Sequence, residues 1–350
     1  MPSAADHVLA AIRAEGGSVP FRRFMELALY GEHGFYAAHG SAGRRGDFLT
    51  SPEVGPLFGA VVARALDAWW DELGQPADFT VIEAGAGPGT LARTIAAAQP
   101  RCAASWRYMT VEVSAVQRAK HPEWVESLAE MPDGQFTGVV FANELLDNLA
   151  FDLMVFDREW REAWVTAEDN RCTEVLRPST LVSLPSYFPT TAQHGARLPL
   201  QRGAQEWLST ALGTLERGYV VAVDYCWPLT AMAAAHPWRQ WLRTYVGHER
   251  GGHYLANPGG QDITTQVMID QLATVRQPQN VRTQRQFLQL WGIDELVEEG
   301  KRAWEAAAAR PDVAAMKMRS RVSEAEALLD PDGLGSFDVL TWKVDAVNAS

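Results

Sequence analysis

The chain has 350 residues, 47% hydrophobic and 21% charged, the balance of a soluble globular protein with room for one large domain or two modest ones. A formal charge of −12 argues against gripping nucleic-acid backbone or an anionic membrane as its main task. Cys102, Cys172 and Cys226 are widely spaced and form no CxxC pair, which argues against a disulfide framework and a cysteine-rich zinc site.

The opening MPSAADHVLAAIRAEGG has no long apolar core and does not read as a secretory signal. No uncharged apolar run reaches about 18 residues. The nearest, 219–235, is broken by Asp224 and Pro228. A cytoplasmic protein is expected.

Val8, Leu9 and Ile12 recur at helical spacing and predict a helix that stops at Gly16-Gly17. A second helical pattern runs from Pro20 through Phe24 to Leu29. The glycine-rich stretch 31–46 has little to bury and is expected to be mobile. From Pro52 the pattern returns to a helix with a broad apolar face through Trp69 and Trp70, so residues 1–75 read as a helical cap. FTVIE from Phe79 is a short β-rich run, followed at once by GAGPG and a helix over 90–98. YMTVE (108–112), GVVFAN (138–143) and GYVVAVDY (218–225) are further buried runs with helical segments between them. Apolar strands alternating with helices mean a parallel sheet covered on both faces. Residues 76–150 and 206–350 are read as the two halves of this core, with FDVLTWKV (337–344) as the last strand. Between them, 151–205 reads as an inserted β-meander and loop region. GHERGGHYLANPGGQDIT (247–264) is too long and aperiodic for a connector and reads as a lid or substrate loop.

The sharpest local signal is Glu83-Ala84-Gly85-Ala86-Gly87-Pro88-Gly89-Thr90. Glycines directly after a buried strand let the chain turn tightly and approach a ligand. A dinucleotide site needs G-x-G-x-x-G for its pyrophosphate, and Thr90 stands where the third glycine would fall. Glu83 ahead of the glycines repels a pyrophosphate but suits a cation, such as the amino-acid end of S-adenosylmethionine. Glu112 closes the next strand 23 residues after Gly89, where an acid can accept both ribose hydroxyls of an adenosine. The bland alternative is a plain strand–helix turn with an exposed acid.

GDFLTSPEVGPLFG (46–59), EAGAGPGTLA (83–92), FANELLDN (141–148), LRTYVGH (242–248) and NPGGQDIT (257–264) occur in that order. Together they resemble the MidA/DUF185 family of S-adenosylmethionine-dependent methyltransferases, from about Phe21 to Leu340. The chain departs from the family pattern at Asn148-Leu149-Ala150, where a proline is usual. The resemblance implies a Rossmann-like class I methyltransferase core of the seven-stranded α/β type. It also implies S-adenosylmethionine as cofactor, S-adenosylhomocysteine as product, and an arginine on a protein as acceptor, since the family's mitochondrial members dimethylate an arginine of a complex I subunit.

Asn143 and Glu144 fall at the carboxyl end of a parallel strand, where open α/β sheets place ligands. Asp147 follows one helical turn after Glu144, so a helix starting there puts both carboxylates on one face. Glu144 and Asp147 are the candidate catalytic pair, although acids in a first helical turn are also ordinary. Capping explains Thr50, Ser51, Pro52 and Glu53 in part. The resemblance implies a cofactor-binding role for them and for Asp47, beside Glu83, Gly85, Gly87, Gly89, Glu112 and Asn143. Asp262 and His248 are candidates for contacts to substrate or lid. His248 and His253, five apart without cysteines, do not make a zinc pair, and no metal is expected. Nucleic acid and membrane are not expected partners, and a homodimer stays open. The rival readings are a cofactor-binding assembly scaffold without turnover and a nicotinamide oxidoreductase, the latter disfavoured by Thr90 and Glu83.

Overall fold

A computed structural model describes residues 2–38, 50–247, 249–310 and 312–345. The expected mobile stretch is therefore covered only to residue 38, and Asp47 and His248 lie outside the described residues.

Seven strands form the central sheet: β1 (Phe79–Ala84), β2 (Trp106–Val111), β3 (Glu126–Leu128), β4 (Phe136–Asn143), β5 (Leu215–Asp224), β6 (Asn280–Thr283) and β7 (Asp338–Val344). Their order is β6-β7-β5-β4-β1-β2-β3. Every pairing from β5 to β3 is parallel, while β7 runs antiparallel to both β5 and β6. This is the class I methyltransferase arrangement. The chain leaves β1 toward β2 on one side and returns as β4 on the other. The crevice outside the carboxyl ends of β1 and β4 is thus the topological switch point, where such sheets bind ligands.

All six residues of β1 are buried because both faces are covered. Val81, Val139, Val221 and Val339 pack on one face with the helices Pro56–Glu72, Gln284–Leu290 and Ile293–Ala307. Ile82, Val140 and Val220 pack on the other with the helix Arg202–Gly213. The edge strands β3 and β6 escape a reading by hydrophobic pattern, since their residues are exposed or half-buried.

The expected meander is present as Asp152–Asp157, Glu159–Glu168 and Arg171–Pro178. It is extended by Arg197–Leu200 and, from the N-terminal region, Ser18–Pro20. Phe21, Phe24 and Phe151 meet Tyr254 in a second apolar cluster that joins the N-terminal helices to the meander. Of residues 247–264, expected to form a lid, the described part contributes buried Tyr254 and Ile263 to this cluster. Strand Asp262–Thr265 is wholly buried and pairs with Leu242–Val246.

The single helix expected from Pro52 is two helices, Ser51–Val54 and Pro56–Glu72. Pro56 disfavours helical backbone at Gly55 and forces the break. The Leu57 amide at the new N-terminus donates to Glu324 Oε2 at 2.9 Å, from a carboxylate 267 residues away. Among the described residues no helix is long and apolar enough to cross a membrane. Glu324→Ala leaves that buried amide without a partner. It should cost about 1–3 kcal/mol, read as a lower urea midpoint with an unchanged slope.

Candidate active site

The glycine loop joins β1 to the helix Thr90–Ala97. Gly85, Gly87 and Gly89 take φ of 69°, 52° and 76°, a region that side chains other than glycine adopt at a cost. A Cβ on Gly85 would crowd Leu145, and one on Gly89 would crowd Pro122, whereas one on Gly87 meets nothing. Gly87 therefore presents bare backbone to open space.

Glu112, following β2, braces this loop. Its Oε2 accepts from the Gly87 amide at 3.0 Å and its Oε1 from the Ser114 amide at 2.8 Å. Burial pushes its carboxyl above the usual range. His121 braces the loop from below: Nε2 lies 2.8 Å from the Gly87 carbonyl, and Nδ1 faces the Thr110 and Ser127 hydroxyls. A carbonyl only accepts, so Nε2 carries the proton, and burial lowers the pKa and keeps the ring neutral. Sequence reading passed over His121, because nothing local ties it to the glycines.

Beyond β4, Glu144 takes a left-handed backbone with φ of 52°, and its amide donates to the Val223 carbonyl. The expected helix does not start here. The chain makes a short 3-10 turn, Leu146–Asn148, whose Leu146 and Asp147 amides donate to Asp224 Oδ2. Glu144 and Asp147 consequently part company. Glu144 faces the cavity, with Oε1 accepting from Asn143 Nδ2 at 3.0 Å and from the Ser51 amide at 3.3 Å. Desolvation, reinforced by the nearby Asp147 charge, raises its pKa to about 8. Asp147 turns inward, buried, with Oδ2 accepting from the Tyr225 and Thr264 hydroxyls.

The cavity at the switch point holds about 660 Å³. Its walls include Thr50, Pro52, Glu53, Glu83, Gly85, Gly87, Glu112, Asn143 and Glu144 from the expected set. Four expected residues among those described are absent from the walls, Gly89 at the start of the helix Thr90–Ala97 being one of them. Ser51 is fully buried and donates through Oγ to Gln284, Asp147 is turned away, and Asp262 lies behind Tyr36 and Asn148, which bond to its Oδ1. Glu83 reaches the wall but is already engaged by the Tyr108 hydroxyl at 2.7 Å, with its pKa raised by burial to about 7. Residues 249–264 do not reach the cavity, which their packing against the N-terminal helices explains.

Two groups of wall residues gave no sequence signal. Val113, Gln117, Glu130 and Met131 extend the wall past Glu112, and the last two follow the short strand β3. On the opposite side stand Tyr30 and Tyr36, stacked at 5.6 Å, with Arg22, Glu26, Glu206 and Trp207. An adenosine fits the first side, with Gly87 bare and Glu112 beside it. A positively charged amino-acid end fits the middle, where the buried Asn143 Oδ1 lacks a hydrogen-bond partner. Gly87→Val fills the bare approach and should abolish binding of S-adenosylmethionine in a folded protein. Glu112→Ala should weaken it by about 1–3 kcal/mol, read by calorimetry.

The family model described as "Putative S-adenosyl-L-methionine-dependent methyltransferase" matches residues 61–286, well over half of the chain. A COG1565 superfamily protein from Burkholderia thailandensis, crystallised with S-adenosylhomocysteine, superposes with a TM-score of 0.81 at 26% identity, covering 98% of this chain and 92% of that one. The mouse mitochondrial protein arginine methyltransferase NDUFAF7 is 24% identical over 82% of this chain and 74% of its own length. Its Drosophila homologue is 39% identical over 23% of this chain, a match that spans 18% of the fly protein. Match, fold and cavity agree: the chain belongs to this DUF185/COG1565 family of S-adenosylmethionine-dependent methyltransferases.

Proposed function

We propose that the protein methylates an arginine side chain of a protein acceptor, and that Glu144 holds the guanidinium. The observation that carries this reading is an enclosed carboxylate, Glu144, on the wall of a cavity whose other wall carboxylates are numerous and whose basic residues are few. Arginine keeps its charge at any physiological pH and presents a planar fork of donors. A lysine acceptor has to lose its proton first, and this acidic wall favours the charged amine. The relatives named as protein arginine methyltransferases support the same acceptor.

S-adenosylmethionine supplies the electrophilic methyl. The chain's own contribution is alignment and exclusion of water, with the reacting atoms about 3–3.5 Å apart. Gly87 and Glu112 fix the adenosine end, and Asn143 Oδ1 is free to accept from the amino group. Glu144 orients the acceptor fork and localises its positive charge away from the attacking nitrogen. Asp147 acts through Glu144 as a positioning residue: its charge raises the pKa of Glu144, and its own place is fixed by Tyr225 and Thr264. Tyr30 and Tyr36 wall the acceptor side, their hydroxyls turned to the Asn148 carbonyl and to Asp262.

Glu144→Gln should keep S-adenosylmethionine affinity and lose roughly 100-fold or more in methyl transfer to an arginine peptide, followed by mass spectrometry. Full activity in this variant, or modification of a lysine peptide instead, would overturn the assignment.

The raised pKa gives a second readout. In the free protein Glu144 is mostly protonated at neutral pH, and a bound guanidinium requires the carboxylate. Acceptor binding should release a proton, and affinity should climb with pH and level off above about 8. Because the folded pKa lies above the unfolded value, the contribution of Glu144 to stability is fully present below about 4.5 and is lost as pH rises through about 8. Glu144→Gln should therefore melt higher than wild type at pH 9, measured without ligand; an equal or lower melting point would contradict the raised pKa.

A further inference from the structure

The outer end of the acceptor side is spanned by one ion pair. Arg22, on the helix Phe21–Tyr30, reaches Glu206 on the helix Arg202–Gly213 through Nη1–Oε1 at 3.2 Å and Nη2–Oε2 at 2.6 Å. This is the two-pronged geometry of a guanidinium on a carboxylate. Arg22 Nε also lies 3.6 Å from Glu26 Oε1. All three side chains line the cavity, and Glu206 is 61% exposed, so the pair stands where the cavity opens to solvent. Among the described residues of the cavity wall, Arg22 is the only basic one, against seven glutamates.

We propose that Arg22 is a latch residue: it occupies Glu206 in the free enzyme, and a guanidinium on the incoming acceptor chain displaces it to enter. The idea rests on the arginine-acceptor reading above. Two features of the geometry support it. The pair connects helices that belong to different parts of the structure, one to the N-terminal cluster and one to the core, and it crosses the acceptor side rather than the adenosine side. The group it holds is also chemically the same as the proposed acceptor, so exchange replaces one fork by another without stripping Glu206 of a partner. The acidic wall draws a cation inward, while Arg22, the one basic residue among the described residues of the wall, opposes entry until it swings away. A lysine cannot reproduce the two-pronged contact, so the latch also discriminates between acceptors.

A pair that serves only to tie the two helices together predicts the opposite result for its removal. Calorimetry with a short arginine peptide, in the presence of S-adenosylhomocysteine, separates the two. Arg22→Ala should bind the peptide roughly two- to fivefold more tightly, the range expected when a competing, partly exposed ion pair is lost. Glu206→Gln should bind it more weakly than wild type. Arg22→Ala combined with Glu206→Gln should show no gain over Glu206→Gln alone. Arg22→Lys, which keeps the charge and loses the fork, should fall between wild type and Arg22→Ala, and the lysine peptide should gain less from Arg22→Ala than the arginine peptide does. Affinity for S-adenosylhomocysteine itself should stay at the wild-type value throughout. Equal or weaker peptide binding by folded Arg22→Ala, or no binding by any variant, overturns the latch. Failure of the arginine-methyltransferase reading looks different: tighter binding in Arg22→Ala with no methyl transferred by any variant.

Discussion

Four enclosed carboxylates with too little positive charge around them dominate the carboxyl edge of the sheet. Burial raises the pKa of Glu144, Asp147, Asp224 and Asp262, the Asp147 charge raises the other three further, and among the described residues Arg243 offsets this in part, at Asp147. Burying such a group without a partner costs several kcal/mol, so each is held by hydrogen bonds or stays protonated. Those hydrogen bonds also organise the site. Asp224 gathers the amides of the turn after β4. Asp147 gathers Tyr225 and Thr264, and Asp262 gathers Tyr36 and Asn148. Glu144 takes the Ser51 amide and thereby anchors the N-terminus of the helix Ser51–Val54. A cluster that needs positive charge is thus also the joint at which the N-terminal helices, the core and the strand Asp262–Thr265 meet.

What could be read from the sequence divides along the range of the interactions. The glycine loop was legible because its geometry depends on consecutive residues: three positive φ angles at Gly85, Gly87 and Gly89 require three glycines in place. The central strands were legible because burial on both faces writes a continuous apolar run. The edge strands β3 and β6 carry no such run, and with β3 the wall residues Glu130 and Met131 went unseen. Ser51, Asp147 and Asp262 illustrate the other limit. All three stand in the motifs that carry the resemblance, yet their side chains serve contacts to Gln284, Tyr225 and Tyr36, partners that no local pattern announces. A helix drawn through Glu144 and Asp147 was the natural inference from their spacing. The left-handed backbone at Glu144 and the grip of Asp224 on the next turn are what prevent it.

The two sides of the cavity consequently differ in kind. The adenosine side is built from adjacent pieces of one sheet: the loop after β1, the acid after β2, and the residues after β3. Its geometry follows from the sheet itself. The acceptor side is assembled from segments far apart in sequence, held by single side-chain contacts. Asn148 shows the consequence. Its side-chain amide donates to Asp262 Oδ1 at 3.1 Å and to the Ile263 carbonyl at 3.2 Å. An apolar residue at this position has no side-chain donor and could make neither bond. In this chain the position next to the proposed acceptor site is therefore tied to the strand Asp262–Thr265 and, through Asp262, to Tyr36 on the cavity wall. A change of one residue type at the sheet edge is thereby transmitted to the aromatic surface that an acceptor would meet, while the glycine loop and Glu112 are left untouched. Differences in acceptor choice within such a family have a physical reason to collect on this side, where a single contact sets the wall, and not on the side where the sheet itself does.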